Sequence, residues 1–133
     1  MTARVLVVDD TEHVRVMLVD ILKLYGFDVV GQAASGAEAV TVATDVEPDI
    51  IVMDYKMPDK DGIQATREIR TSIPDQRVIL YSAFLSRELQ EQARDAGVAV
   101  CVPKGSGVEA LASEISALVM DLRGDGSGLG TTG

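Results

Sequence analysis

Five short runs dominated by apolar, β-branched residues recur along this chain of 133 residues: Val5 to Val8, Asp28 to Ala33, Ile50 to Met53, Val78 to Tyr81 and Val100 to Val102. Segments such as RVLVV, DIIVM and RVILY do not alternate apolar with polar positions. A strand that is apolar on both faces must be covered on both, which is the pattern of parallel strands sandwiched between helices. Each run is followed by a segment of helical period. After the first, Val14, Met17, Leu18, Ile21, Leu22 and Tyr25 fall at helical spacing, and Gly26 stands where a left-handed residue ends a helix. Gly36 to Val46 reads as a second helix, with Ala37, Val40 and Val42 or Ala43 inward and Pro48 beyond its end.

A turn-rich stretch, Lys56 to Gly62, leads into a third helix over Ile63 to Thr71. Ser86 caps a polar fourth helix that Gly97 ends, and Val108, Leu111, Ala112, Ile115, Leu118, Val119 and Leu122 mark a strongly amphipathic fifth. Five strands alternating with five helices predict a flavodoxin-like, doubly wound α/β sheet of order 2-1-3-4-5. The length suits one core, so residues 1–123 form a single domain. Residues 124–133, where Gly alternates with Ser, Thr and Asp, are expected to be a flexible tail or linker.

In such a sheet right-handed crossovers bring every strand C-terminus to one edge, where ligands bind at the reversal of strand order. Just past those ends stand Asp9 and Asp10, Asp54, Ser82 and Lys104. The reversal lies between the first and third strands, which carry the three carboxylates. Three carboxylates a few ångströms apart stay ionised together only when a cation compensates. An all-oxygen set without nearby His or Cys favours Mg2+. Lys104 and Ser82 then supply an ammonium and a hydroxyl for phosphoryl oxygens. A carboxylate so flanked is a fitting phosphoryl acceptor. Taken singly, each has a plainer reading: a helix cap for Asp9 or Asp10, a strand terminus for Asp54, a loop hydroxyl for Ser82, surface charge for Lys104. Their joint placement at four strand ends favours the site.

The motifs VLVVDD, DIIVMDYKMPDKDG, YSA and VPKG, over about Arg4 to Leu122, resemble the receiver domain of bacterial two-component response regulators. The resemblance implies phosphorylation of Asp54 by a sensor histidine kinase or histidine phosphotransfer protein. It implies Mg2+ held by Asp10, Asp54 and the Lys56 main-chain carbonyl, with Asp9 acting largely through water. It also implies Lys104 pairing with the phosphoryl group and Ser82 swinging toward it, which alters the surface of the fourth helix, fifth strand and fifth helix read by a partner or output domain. A phosphorylation-dependent homodimer is compatible with the mixed charges Arg87, Glu88, Glu91 and Arg94. No separate substrate is expected; the only catalysis is the domain's own phosphoryl transfer and dephosphorylation.

Departures from the family pattern are specific. Pro103 precedes Lys104 where most relatives place a proline after the lysine, so any cis bond is expected at Val102–Pro103. Cys101 stands where an aromatic switch residue is usual, and Phe84 is the nearest substitute. Cys101 itself reads as a small core side chain and His13 as a solvated residue at the start of the first helix; Met17, Met53 and Met57 read as core or loop packing, and Met120 as a helix-side residue. Lys56 and Phe84 occupy positions that tune acyl-phosphate hydrolysis in the family, and slow loss of phosphate is expected.

Three alternatives fit less well. A phosphorylation-independent interaction module predicts erosion of the acidic residues, which are intact. A haloacid-dehalogenase-like phosphatase requires an Asp where Lys56 stands, and the acidic DDTEH loop repels the phosphate of a flavin. A net charge of −9 disfavours direct contact with nucleic acid or anionic membrane. With one cysteine, no signal peptide and no spanning segment, a cytoplasmic setting is expected.

Overall fold

The structure, a computed structural model, describes residues 2–127, with side chains as far as Met120. Its elements run β1 (Arg4–Val8), α1 (Glu12–Leu24), β2 (Asp28–Ala33), α2 (Gly36–Val46), β3 (Ile50–Met53), α3 (Gly62–Ser72), β4 (Arg77–Ser82), α4 (Arg87–Ala96), β5 (Val100–Pro103) and α5 (Gly107–Ser127). All strand pairs are parallel, in the order β2-β1-β3-β4-β5. This is the flavodoxin-like arrangement expected from the doubly apolar runs.

The alternation of side chains across the pleat divides those runs between two cores. Leu6, Val8, Ile51, Met53, Val78 and Leu80 face the side packed by α2, α3 and α4. Val5, Val7, Ile50, Val52, Ile79 and Tyr81 face α1 and α5 through Leu18, Leu22, Leu111 and Ile115. Removing one such apolar side chain from water is worth about 1.5–3 kcal/mol, so a charge on either face of β1, β3 or β4 is excluded. Charge is therefore confined to the strand ends.

Helix ends follow local chemistry. Ser35, Asp61 and Ser86 each accept a hydrogen bond from the main-chain amide three residues on, and Gly26 and Gly97 adopt left-handed φ values of +92° and +100° after α1 and α4. On α2, Val40, Val42 and Ala43 pack inward as expected, and only Ala37 departs. Gly36, Ala39 and Ala43 are buried, while Ala37 is exposed. With Ser35 as the cap, the i, i+3, i+7 stripe starts at Gly36, one position earlier. The fifth helix continues to Ser127, beyond Leu122 and into the expected tail. Glycines at 124 and 126 tax a helix by about 1 kcal/mol each without forbidding it, and no proline interrupts the stretch. The remainder of that tail, 128–133, lies outside the described residues.

The Val102–Pro103 bond is trans, as is every peptide bond among the described residues. Met17 and Met120 are exposed, unlike Met53 and Met57, which are buried. No helix among the described residues is long and apolar enough to cross a membrane.

Candidate functional site

Sheet hydrogen bonding continues one residue beyond the strands and fixes where the first carboxylates emerge. The Asp9 amide donates to Ala33 O (3.1 Å) and the Asp54 amide to Val8 O (3.0 Å), so Asp9 and Asp54 leave neighbouring strands side by side. Asp9 stays buried, and Asp10 after it is exposed. Carboxylate oxygens of Asp9, Asp10 and Asp54 all lie within 4.8 Å of one another. Lys104, in the turn after β5, reaches across with its ammonium 2.9 Å from Asp9 Oδ2 and 3.4 Å from Asp54 Oδ1. Asp10, Asp54 and Lys104 line a cleft of about 860 Å3 that also includes Ser82, Lys56 and Phe84, with Asp9 buried behind them. All the residues anticipated for the site therefore meet at one place. His13 is not part of the cleft lining.

The electrostatics are unbalanced. Burial of Asp54, and then the charge of Asp9, push its carboxyl above the usual range, against the opposing pull of Lys104 and the Tyr55 amide, 2.9 Å from Oδ1. Burial disfavours the Lys104 ammonium, but its hydrogen bond to Asp9 and the attraction of Asp54 and Asp9 outweigh that, and the net shift is upward. Three carboxylates face one ammonium, leaving room for the charge of one divalent cation. The donor set is all oxygen and partly solvated, which fits Mg2+ with retained waters rather than a softer metal.

Ser82 is buried, and its hydroxyl is engaged with its own loop: Oγ accepts from the Phe84 amide (3.3 Å) and donates to the Phe84 carbonyl (3.2 Å). Phe84 projects outward, 83% exposed. Cys101 is half-buried rather than enclosed, and burial raises its thiol pKa, so it has no thiolate-forming environment.

Three supporting residues were not legible beforehand. Thr11 donates its amide to Asp9 Oδ1 (2.9 Å). Arg15 joins the acidic loop to the end of β2, donating Nη1 to Asp9 O (2.8 Å) and Nε to Gln32 Oε1 (3.1 Å). The Tyr81 ring lies beneath Lys104, whose Nζ is 5.9 Å from its centroid. A helical arginine and a strand tyrosine carry no sequence mark of these roles; only their position one turn or one residue from the cleft does.

The family model of the response regulator receiver domain matches residues 5–116. The chain belongs to that family. The receiver domain is the phosphorylation-activated signalling unit of two-component response regulators, and its acidic pocket typically binds Mg2+. The transcriptional regulatory protein PdtaR of Mycobacterium tuberculosis is 38% identical over 120 residues, 90% of this chain and 58% of PdtaR. The response regulator protein VraR of Staphylococcus aureus is 36% identical over 116 residues, 86% of this chain and 56% of VraR. The chain thus spans a little over half the length of these relatives. Among solved structures, a chain of the CheX-CheY-BeF3-Mg2+ complex of Borrelia burgdorferi superposes with a TM-score of 0.78 at 28% identity, covering 90% of this receiver and 88% of that chain.

Proposed function

We propose that this receiver takes a phosphoryl group from a phosphohistidine donor onto Asp54, in a reaction that requires Mg2+, and signals through the loop between β4 and α4. The observation that carries this reading is the meeting of three carboxylates with one ammonium at 2.9 and 3.4 Å. An Asp54 carboxylate oxygen attacks phosphorus; the new P–O bond forms as the donor P–N bond breaks, and the leaving imidazole regains its neutral form by taking up a proton. Asp10, Asp54 and the Lys56 carbonyl, with Asp9 acting largely through water, would hold Mg2+, which would supply positive charge against the phosphoryl oxygens. Lys104 shifts its ammonium from the carboxylates to those oxygens, and Ser82 gives up its bonds to Phe84 to donate to the same group. Exchange of the Ser82 bonds pulls the Phe84 loop and, through it, α4. Water attack on the same phosphorus later returns inorganic phosphate and the Asp54 carboxylate, so the domain acts on no separate substrate.

In this reading the donor is a sensor histidine kinase or a histidine phosphotransfer protein, in the cytoplasm. The output is a protein partner or an attached effector domain that reads the α4-β5-α5 face, including by phosphorylation-dependent dimerisation. Intact-mass spectrometry with acetyl phosphate tests it. Wild type should gain one phosphoryl mass with Mg2+ and none with a chelator. An unmodified wild type that also fails to bind Mg2+ would leave a phosphorylation-independent interaction module.

The lifetime of the adduct gives a second expectation. Lys56 and Phe84 stand at the cleft mouth. Replacing both by Ala should speed loss of the phosphoryl mass by about tenfold, or about 1.4 kcal/mol of barrier, by opening the phosphorus to water. Equal decay of the double variant and wild type would remove the shielding role.

A further inference from the structure

Asp59 does not reach the cleft, yet it fastens the segment that forms one wall of it. Its two carboxylate oxygens accept from the main-chain amides of Gly36 (3.0 Å) and Ala37 (2.8 Å) at the start of α2. Those amides belong to the donors that a helix start leaves unpaired, and the local cap Ser35 serves only the Glu38 amide. The bonds from Ala37 and Gly36 hold the Asp59 carboxyl down at about 2, so it is anionic at any working pH. The neighbouring Lys60 stem lies so near Gly36 that a Cβ there would come within 2.3 Å of its Cγ, and the Lys60 ammonium pairs with Glu68 of α3. At the other end of the loop the Gly62 amide donates to Tyr55 O (2.7 Å). Between these anchors run Lys56, Met57 and Pro58, which line the cleft.

The cap that Ser35 leaves incomplete at Gly36 and Ala37 is supplied by no local side chain. Asp59 instead ties two loops together across the sheet edge from 22 and 23 positions away in sequence. We propose that Asp59 is a positioning residue of the phosphorylation site: its two bonds to α2 hold the β3–α3 loop so that the Lys56 carbonyl stands where Mg2+ requires an oxygen. The consequence for the metal rests on the Mg2+ reading above; the consequence for the loop does not.

The experiment compares Asp59→Ala, Asp59→Asn and Ser35→Ala in the full chain. Each is followed by urea unfolding, by amide hydrogen exchange in metal-free buffer and by calorimetric Mg2+ titration. Ser35→Ala removes a bond at the same helix end without touching the loop, so it serves as the stability-matched control. Asp59→Ala should speed exchange across residues 55–61 about tenfold and weaken Mg2+ binding about tenfold. Asp59→Asn, which keeps one acceptor oxygen but sets its NH2 against the second amide, should recover only part of either, and Ser35→Ala should change neither. Unchanged loop exchange in Asp59→Ala overturns the proposal, as do matching changes in Ser35→Ala, which would trace the effect to α2 stability. If wild type binds no Mg2+, the metal reading fails while the exchange data alone still decide whether Asp59 holds the loop.

Discussion

Asp54→Asn is expected to melt a few degrees above wild type in metal-free buffer while taking up no phosphoryl group. The folded protein disfavours the Asp54 anion, through burial first and the neighbouring Asp9 charge second. An acid whose pKa is raised by folding binds its proton more tightly in the native state. Stability therefore falls as pH rises from the unfolded value through the folded one, and the whole loss is present above the folded value. Asn is isosteric, uncharged and still offers an oxygen to the Tyr55 amide, so it relieves the repulsion without opening a hole. Relief at a functional site of this kind is worth about 1 kcal/mol, or roughly 3–5 °C for a domain of this size. The gain should shrink as pH is lowered toward the carboxylate range, since wild type then protonates Asp54.

Saturating Mg2+ should invert the order, because ligand at a hundredfold over its dissociation constant stabilises by about 2.7 kcal/mol and the variant lacks one ligand. Lys104→Met should move the midpoint the other way in metal-free buffer, by about 2–4 kcal/mol, since it strands the buried Asp9 carboxylate without its cation. Scanning calorimetry with chelator and with Mg2+ reads all of these. A variant Asp54→Asn that melts below wild type in chelator would show that the acidic cluster is not strained.

The strand-end residues were legible because a parallel sheet converts a one-dimensional fact, a charge directly after an apolar run, into a three-dimensional one. Asp9, Asp54, Ser82 and Lys104 needed only strand order and handedness to be placed together. Lateral relations between loops carry no such projection. Asp59 sits in KMPDKDG, where every residue fits a turn, and nothing marks its carboxylate as the partner of amides on another helix. Arg15 looks like any helix-surface cation until β2 brings Gln32 beside it. Tyr81 reads as one more apolar strand residue because its ring does pack in the core; only its far side meets Lys104. The misplacement of Ala37 on α2 has the same origin, since small residues at 36, 37 and 39 give no hydrophobic contrast at the start of the helix and the cap decides which of them turns inward. Met17, placed in the apolar set of α1 yet exposed, shows that an apolar residue at helical spacing marks a helix more securely than it marks burial.

Gly62→Ala is expected to destabilise the fold by about 2–4 kcal/mol and to slow phosphoryl uptake further than the lost stability explains. The φ angle of Gly62 is not left-handed, so backbone preference is not the issue; space is. A Cβ at this position would lie 2.2 Å from the Asp54 main-chain oxygen, 2.9 Å from Met53 Cγ and 3.0 Å from Leu80 Cδ1. Met53 and Leu80 are fully buried and have no vacant volume to enter. The nearest atom belongs to the backbone and cannot rotate away. Either the first turn of α3 withdraws, stretching the 2.7 Å bond from Gly62 N to Tyr55 O, or the Asp54 peptide tilts and carries the acceptor carboxylate with it. Both routes disturb the phosphoryl acceptor, which ties the packing of α3 to the chemistry of the cleft. Gly26→Ala makes the comparison: its φ is +92° and a Cβ there meets nothing within 4 Å, so it should cost only about 1–2 kcal/mol of backbone strain and leave uptake unchanged. Urea unfolding paired with the rate of phosphoryl uptake from acetyl phosphate separates the two glycines. Equal uptake rates in the two variants after correction for the folded fraction would show that the acceptor does not depend on the close approach of α3.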